Sequence, residues 1–207
     1  MITDVLKGGI EMSQKKRFRG IAVLVVAIVA AGLVTALARR GSKETPPMQD
    51  LSSTEQLKQR FQQDSGKVRL IALVSPICPE CRRGFADMQG VLKDIPDSRL
   101  RAYVVWLPMF PGDNRSWAQT RSDEFKDDRL SYYWDGSRLT GEEWGKTLGI
   151  ERTAWDVYFL YGSGSQWDGT APQPSFWMHQ LGGVAKAPHL NKQEFENKVK
   201  ELLASVK

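Results

Sequence analysis

The sequence predicts an α/β domain, and three consecutive stretches carry that prediction. Residues 68–74, VRLIALV, form a short apolar run rich in branched side chains, which is typical of a buried strand. The next stretch repeats apolar residues at three- and four-residue steps, the pattern of a half-buried helix: Phe85, Met88, Leu92 and Ile95. Residues 100–107, LRAYVVWL, are again almost continuously apolar and indicate a second strand in the middle of the sheet.

Caps, chain breakers and periodicity predict the remaining elements. Ser52 and Glu55 form a capping-box pattern at the start of a short helix. After the second strand we expect helices at 115–126 and 140–148, an extended piece at 130–134, and strands at 154–161 and 175–181. An apolar stripe predicts a closing helix through Phe195, Val199, Leu202 and Val206. Together these elements predict one domain at 52–207.

The N-terminal part of the chain contains an uncharged segment at 20–38. At 1.5 Å per residue it is long enough to cross the core of a bilayer. Because more basic residues precede than follow it, we expect 1–19 in the cytoplasm and the domain outside it. We favour an uncleaved transmembrane helix, with a signal peptide cleaved after Ala36-Leu37-Ala38, and hence a secreted domain, as the alternative. Residues 39–51, with their Gly, Ser and Pro, are predicted to be a linker.

The excess positive charge of the chain belongs to this N-terminal segment. The formal net charge is +5, and the first 40 residues hold seven Lys or Arg against two Asp or Glu. The rest of the chain is neutral, with 22 basic and 22 acidic residues, so we expect no nucleic-acid binding by the domain. The chain has two cysteines, which excludes a larger disulfide framework and a cysteine-rich metal site.

Both cysteines lie where the first buried strand passes into the helix, in the motif Cys78-Pro79-Glu80-Cys81. Pro79 fits the first helical position, where its missing N–H costs no hydrogen bond. The helix N-terminus favours a thiolate at Cys78, at the exposed end of the strand, and Cys81 lies one turn inside as the resolving thiol. The pair therefore predicts thiol–disulfide exchange, with metal binding and a purely structural disulfide as the alternatives.

A strand, a Cys-x-x-Cys motif and a helix in this order resemble the thioredoxin-like disulfide oxidoreductases, as does the order of elements over 52–206. The resemblance implies a mixed sheet flanked by helices, with 108–152 as an insertion before the final hairpin. It also implies that Cys78 and Cys81 exchange disulfides with protein substrates and with a separate redox partner. No cofactor and no metal are expected under this interpretation.

The resemblance further implies a cis-proline at the start of the strand beside the two thiols. Pro174 opens the strand at 175–181 and is expected in that role, with the backbone of Gln173 pairing with an extended substrate. Pro172 is the rival position, and an ordinary trans proline at a strand start is the alternative. Pro79, inside the motif, is also expected to contact substrate.

A buried aspartate of the family corresponds by sequence offset to Ala72 in this chain. Glu80 is therefore the candidate proton acceptor for Cys81, directly or through water. Its negative charge near the Cys78 thiolate is expected to raise the pKa of that thiol, so we expect a dithiol nearer a reductant than a strong oxidant. The alternative for Glu80 is a solvated acid in the first turn of the helix.

A second function is also compatible with the sequence: a thiol-based module that binds or delivers Cu(I) or a similar ion. His179 and Met178 would then be additional ligands, as in copper-delivery proteins of the same fold, whose cysteines are spaced one residue further apart. The ordinary expectation for His179 is a packed or solvated strand residue. Most tryptophans are expected in the core, and an aromatic partner-binding face over the thiols is the alternative for these five: Trp117, Trp134, Trp144, Trp155 and Trp167.

Overall fold

A six-stranded mixed sheet with helices on both faces forms the fold in the computed structural model, which describes residues 46–206. In chain order the elements are β1 (Gln49–Asp50), α1 (Glu55–Gln63), β2 (Val68–Val74), α2 (Pro79–Asp94), β3 (Leu100–Trp106), α3 (Arg115–Asp123), β4 (Leu130–Trp134), α4 (Leu139–Leu148), β5 (Val157–Tyr161), β6 (Phe176–His179) and α5 (Lys192–Ala204). The predicted fold class, a mixed sheet flanked by helices, is confirmed.

The strands lie in the order β1-β4-β3-β2-β5-β6. The first four of these are mutually parallel, whereas β5 runs antiparallel to β2 and β6 antiparallel to β5. Leu73 pairs with Val157, so β5 begins beside the carboxyl end of β2. Phe176 pairs with Leu160, which in turn pairs with Leu70, so β6 begins at the opposite end of the sheet.

Strand β2 is buried along its whole length because both faces of the sheet are covered. Alternate side chains enter two apolar layers, with Leu70 and Ala72 on the side of α2, α3 and α5, and Ile71 and Leu73 on the side of α1 and α4. Both cysteines belong to the first of these layers. The cysteines are therefore held at the end of a fully buried strand.

One charged side chain interrupts this apolar strand. The guanidinium of Arg69 is fully buried and lies over the ring of Phe61, 4.1 Å from its centroid. It donates to the carbonyls of Gly162 at 2.7 Å and Ser165 at 3.0 Å. Arg69 therefore holds the turn after β5, because carbonyl oxygens replace the hydrogen bonds that the buried cation would make with water.

Residues 108–152, predicted as an insertion, supply α3, β4 and α4. Strand β4 pairs along its length with β3, so this segment contributes a strand to the central sheet. Gln49 and Asp50, which the sequence assigned to the linker, form β1 by pairing with Tyr133 and Trp134. The folded part thus begins earlier than the predicted domain start at residue 52.

The predicted cytoplasmic segment at 1–19, the hydrophobic run at 20–38 and the first part of the linker lie outside the described residues. Within 46–206 no helix is both long and apolar enough to cross a membrane.

Candidate functional site

Cys78 and Cys81 lie at the N-terminus of α2, directly after the carboxyl end of β2. Cys78 is the N-cap residue, with an extended backbone, and its sulfur accepts a hydrogen bond from the Cys81 N–H at 3.4 Å. Pro79 is the first residue of the helix, as the sequence predicted. The backbone N–H of Ser75 donates to the Cys81 sulfur at 3.4 Å. The turn therefore holds both sulfurs together at the end of a buried strand.

Both thiols are free, and both are more covered than the sequence suggested. Cys81 has no exposed surface, and Cys78 keeps only 4% of its surface accessible. Cys78 is thus the sulfur nearer to solvent, but access to it is narrow. Any reactant must therefore approach Cys78 through a small opening in the surface.

The carboxylate of Asp156 lies beside the two sulfurs. Asp156 immediately precedes β5, whose start lies beside the end of β2, and its side chain is 99% buried. The Cys78 sulfur, the Cys81 sulfur and an Asp156 oxygen all lie within 4.8 Å of one another. Asp156 has a φ of +52°, which is uncommon for a residue other than glycine and which aspartate and asparagine tolerate best. In residues 46–206 this is the group of Cys, His, Asp and Glu side chains whose geometry could hold a metal ion.

The three acidic groups influence one another strongly. The side-chain hydrogen bond from Cys81 lowers the pKa of the Cys78 thiol to about 7, although burial opposes this shift. Burial raises the pKa of Cys81 far above its usual range, and the Cys78 and Asp156 side chains add to this effect. Burial also raises the pKa of Asp156. Cys78 is therefore the thiol that ionises first, as expected for the attacking sulfur.

Two polar side chains orient the Asp156 carboxylate. Its Oδ1 accepts a hydrogen bond from the Tyr158 hydroxyl at 3.1 Å and another from Gln180 Nε2 at 3.0 Å. Gln180 Nε2 also donates to the carbonyl of Glu80, which connects this network to the first turn of α2. Both hydrogen bonds end on Oδ1, which fixes the orientation of the carboxylate beside the sulfurs.

A second aspartate organises the loops around the motif. The Asp113 carboxylate accepts from the Ser75 hydroxyl at 2.9 Å, from the Ile77 N–H at 3.2 Å and from the Phe110 N–H at 2.7 Å. It also accepts from the Met109 N–H at 2.8 Å. Asp113 therefore ties the start of the 108–152 segment to the turn that precedes Cys78.

Two exposed aromatic side chains lie near the turn that precedes Cys78. Phe110 and Trp117 are 42% and 45% exposed, although they are large and apolar. The Phe110 ring packs edge-on against Trp155, the residue before Asp156, with ring centroids 5.4 Å apart. Arg121 lies over Trp117 and donates to the carbonyl of Pro76 at 3.1 Å. Trp144 and Trp167, by contrast, are core residues, as expected.

The structure does not bring Pro174 and Gln173 to the cysteines, so the predicted cis-proline role is wrong. No peptide bond among the described residues is cis. The strand that pairs antiparallel with β2 is β5. Among the strands, β6, which Pro174 precedes, pairs only with β5 and begins at the far end of the sheet. Asp156, at the start of β5, occupies the position that the prediction gave to Pro174. The Gln173 side chain instead donates to the carbonyl of Thr147.

The sequence also offered Glu80, His179 and Met178 as candidate site residues. Glu80 is exposed and forms an ion pair with Arg83, whereas Asp156 is in contact with Cys81. His179 is buried, its Nδ1 accepts from the Leu181 N–H at 2.9 Å, and its Nε2 lies 3.0 Å from the carbonyl of Ala187. His179 is not a member of the group formed by the sulfurs and Asp156. Met178 is buried in the same apolar layer as the cysteines.

Asp156 is the main site residue that the sequence analysis missed. The signal that could have found it is the start of the predicted strand at 154–161. If that strand pairs antiparallel with the one before the motif, its first residues, which include Asp156, must lie beside the cysteines. The periodicity of a strand does not reveal which strand it pairs with. The position of Asp156 beside the cysteines therefore becomes clear only from the observed strand order.

No family model matches the sequence, and no curated protein matches it. Solved structures of thioredoxin-like oxidoreductases are similar in fold. A thiol:disulfide interchange protein from Chlorobium tepidum TLS is 14% identical, with 69% of this chain and 83% of that chain covered and a TM-score of 0.45. A secreted disulfide oxidoreductase of Mycobacterium tuberculosis is 12% identical, with 68% and 86% covered and a TM-score of 0.41. An exposed lipoprotein thioredoxin of Streptococcus pneumoniae is 15% identical, with 69% and 90% covered and a TM-score of 0.43.

Proposed function

We propose that this chain is a thiol–disulfide oxidoreductase that acts on protein substrates through Cys78 and Cys81. The observation that carries the proposal is the placement of two free sulfurs in the first turn of α2, at the end of a fully buried strand. A rigid strand fixes the position of the turn, and the helix N-terminus stabilises negative charge on Cys78. The second sulfur is close enough to complete the exchange within one molecule.

The reaction consists of two exchange steps. The Cys78 thiolate attacks one sulfur of a substrate disulfide, which forms a mixed disulfide and releases the other substrate sulfur as a thiolate. Cys81 then loses its proton and attacks the Cys78 sulfur, so that the second substrate thiolate leaves and a Cys78–Cys81 disulfide forms. Two electrons pass from the dithiol to the substrate, and the same steps in reverse oxidise a substrate dithiol. A separate redox partner restores the starting state.

The carboxylate in contact with Cys81 is that of Asp156, so we assign the acceptance of the Cys81 proton to Asp156 in preference to Glu80. Burial keeps Asp156 away from bulk water, and its hydrogen bonds to Tyr158 and Gln180 hold it beside the sulfur. Glu80 is paired with Arg83 at the surface, which fits its alternative role as a first-turn acid.

The aromatic surface around the motif supports a protein substrate. Phe110 and Trp117 are exposed, and Phe110 packs against Trp155, next to Asp156. Exposed aromatic residues are typical of protein-binding surfaces, where they bury a large area on contact. Because Cys78 is narrowly accessible, substrate selection depends on docking at these side chains. Pro79 is exposed at the start of α2, beside Cys78, whereas Pro174 precedes β6 at the other end of the sheet.

The charges around the sulfurs favour a reductant. Asp156 and the two thiols are all acidic and close together, so ionisation of both thiols at once is disfavoured. The pKa of Cys78, about 7, is near the value for thioredoxin and far above the value of about 3.5 for a strongly oxidising member of the fold, so the reduced protein gains less from ionisation than that oxidant does. We expect a reduction potential nearer to about −270 mV than to about −120 mV, the values for thioredoxin and for a strongly oxidising member of the fold. Equilibration with glutathione buffers measures this potential directly.

The extracytoplasmic location is part of the proposal and is supported by the sequence of the N-terminal segment. The uncharged run at 20–38 and its basic flank favour a membrane anchor with the domain outside the cytoplasm. A C-terminal alkaline phosphatase fusion is expected to be active, and alkaline carbonate is expected to leave the chain in the membrane fraction. An inactive fusion contradicts the orientation, and a fully soluble chain contradicts the anchor.

Trapping of substrates tests the exchange function. The Cys81→Ser variant keeps the attacking sulfur but cannot resolve the mixed disulfide, so covalent adducts with substrate proteins are expected to accumulate. The Cys78→Ser variant is the matched control and is expected to trap nothing, because it keeps only the fully buried thiol. Equal trapping by both variants, or no insulin reduction by the unmodified chain, would contradict the proposal.

A further inference from the structure

Asp156 places an oxygen-bearing side chain beside the two thiols, so the site offers three candidate metal ligands. Two sulfurs and a carboxylate oxygen lie within 4.8 Å of one another. The corresponding atoms around a tetrahedral zinc ion are roughly 3.5–3.8 Å apart, because Zn–S is about 2.3 Å and Zn–O about 2.0–2.2 Å. The separations therefore need to shorten by at most about 1.3 Å to bring the three atoms into contact with one ion.

The side chains around Asp156 resemble the support that a metal-binding carboxylate needs. Ligating carboxylates are themselves hydrogen-bonded, which fixes their orientation. The Asp156 Oδ1 accepts from Tyr158 and Gln180, and a carboxylate oxygen of Asp156 lies within 4.8 Å of both sulfurs. The positive φ of Asp156 indicates that the fold maintains this placement against backbone strain. Asp156 is also 99% buried, so it is not an ordinary surface acid.

We propose that the reduced form binds one divalent d¹⁰ cation of the zinc class through Cys78, Cys81 and Asp156, and that the bound ion blocks disulfide exchange. The set of two thiolates and one carboxylate suits zinc, because calcium and magnesium require oxygen ligands and Cu(I) prefers soft ligands alone. Each thiol releases its proton to solvent as its sulfur binds the ion. A fourth position remains for water, as in zinc sites with three protein ligands.

This inference deepens the proposed function, since it makes the metal a regulator of the same cysteine pair. A sulfur that is bound to the ion is not free to attack a disulfide, and a Cys78–Cys81 disulfide has no thiolate to offer the ion. Metal binding and oxidation therefore exclude each other. The ion would protect the reduced form from oxidation and would need to leave before a substrate is reduced.

Metal titration of the full chain in detergent, reduced with a phosphine, tests the site. We expect one equivalent of Zn²⁺ or Cd²⁺ to bind, with an ultraviolet cadmium–thiolate charge-transfer band, and no binding by the disulfide form. The Asp156→Asn variant is expected to bind at least about 10-fold more weakly. Asparagine also tolerates a positive φ, so the substitution preserves the backbone. Asp168→Asn changes an exposed aspartate and is the matched control, with unchanged affinity expected.

X-ray absorption of the zinc-loaded, unmodified chain gives a second test that does not depend on the folding of a variant. Two sulfur neighbours at about 2.3 Å and lighter ligands at about 2.0 Å are expected. Four sulfur neighbours, a preference for Cu(I) over zinc, or full affinity in Asp156→Asn would overturn the assignment.

The coupling to exchange is measured separately. Saturating Zn²⁺ is expected to slow insulin reduction, and a chelator is expected to restore it. Normal exchange at every zinc concentration would overturn the inference and leave the proposed function intact. Stoichiometric zinc binding without exchange under any condition would overturn the proposed function, and this site would then match the metal-binding alternative.

Discussion

Gly84, on the inner side of α2, allows Tyr158 and Gln180 to pack close to the helix. A Cβ atom at this position would overlap the Tyr158 hydroxyl and lie 2.6 Å from Gln180 Nε2. Those are the two groups that orient the Asp156 carboxylate. The glycine in the middle of a helix, which is normally unfavourable, is thus explained by the site that it accommodates.

Gly84→Ala is therefore expected to destabilise the domain by about 1–3 kcal/mol, because the buried Tyr158 side chain and the half-buried Gln180 side chain must move away from their partners. Gly90→Ala is the matched control on the same helix. Its Cβ would meet only the flexible end of Lys192, so a gain of roughly 0.5–1 kcal/mol from better helix propensity is expected. Urea unfolding measures both changes. Equal stability of the two variants would contradict this account of the network.

Single residues differ in how far the sequence reveals their roles. Cys78, Cys81 and the helix-initiating Pro79 are recognisable because their signal is local: a strand, a short spacing and a helix. Asp156 is 75 residues from Cys81 along the chain, and no short motif connects the two. Glu80 was predicted to be the proton acceptor because it is the acidic residue nearest to the cysteines in the sequence.

At the scale of elements, Asp113 connects two loops that would otherwise be independent. Its carboxylate accepts hydrogen bonds from Ser75 and Ile77 in the turn before Cys78. It also accepts from Met109 and Phe110 after β3. Since buried or half-buried backbone N–H groups need partners, this one side chain holds β2, β3 and the motif turn in a fixed relation.

We expect Asp113→Ala to lower the free energy of unfolding by about 2 kcal/mol, because several backbone and hydroxyl donors lose their acceptor. Looser attachment of the turn is also expected to expose the cysteines, so alkylation of the reduced protein becomes faster. Asp123→Ala, which removes an exposed aspartate from α3, is the control and should change stability by less than about 0.5 kcal/mol. An unchanged alkylation rate in Asp113→Ala would show that the turn does not depend on this carboxylate.

The error on Pro174 also arises at the scale of elements. Both candidate strands in the carboxyl half were predicted close to their observed bounds, 157–161 and 176–179. Periodicity identifies a strand but not its neighbour in the sheet. Because β6 pairs with β5 alone, the proline that opens it lies far from the cysteines, and the start of β5 provides the site residue instead.

At the scale of the whole molecule, the layered architecture was predictable and the order of the strands was not. Apolar runs and amphipathic helices require a covered sheet, and the sequence shows both. The position of β4 between β1 and β3 depends on contacts between distant segments, as does the recruitment of Gln49 and Asp50 into the sheet. These pairings explain why the segment 108–152 is part of the fold.

The acid stability of the domain depends on a cluster at the opposite end of β2 from the cysteines. Asp64, at the end of α1, accepts hydrogen bonds from Tyr103 on β3 at 2.8 Å and from Lys67 at 2.7 Å. Burial alone would raise the pKa of Asp64, but the hydrogen bonds from Lys67 and Tyr103 and the charge of Arg60 outweigh it, so that the pKa is lowered. One carboxylate thereby connects a helix, a turn and the sheet.

A lowered pKa means that the folded state binds the Asp64 proton less readily than the unfolded state does. The stabilisation from Asp64 is therefore complete above the unfolded value of about 3.9 and is lost as the pH falls below it. Asp64→Asn should lower stability at pH 7 and should flatten the loss of stability between about pH 4 and pH 2. Urea unfolding across this range measures both effects, with Asp168→Asn as an exposed control. The other carboxylates contribute equally to each variant and cancel in the difference, so parallel pH profiles for Asp64→Asn and the unmodified chain would refute this role for Asp64.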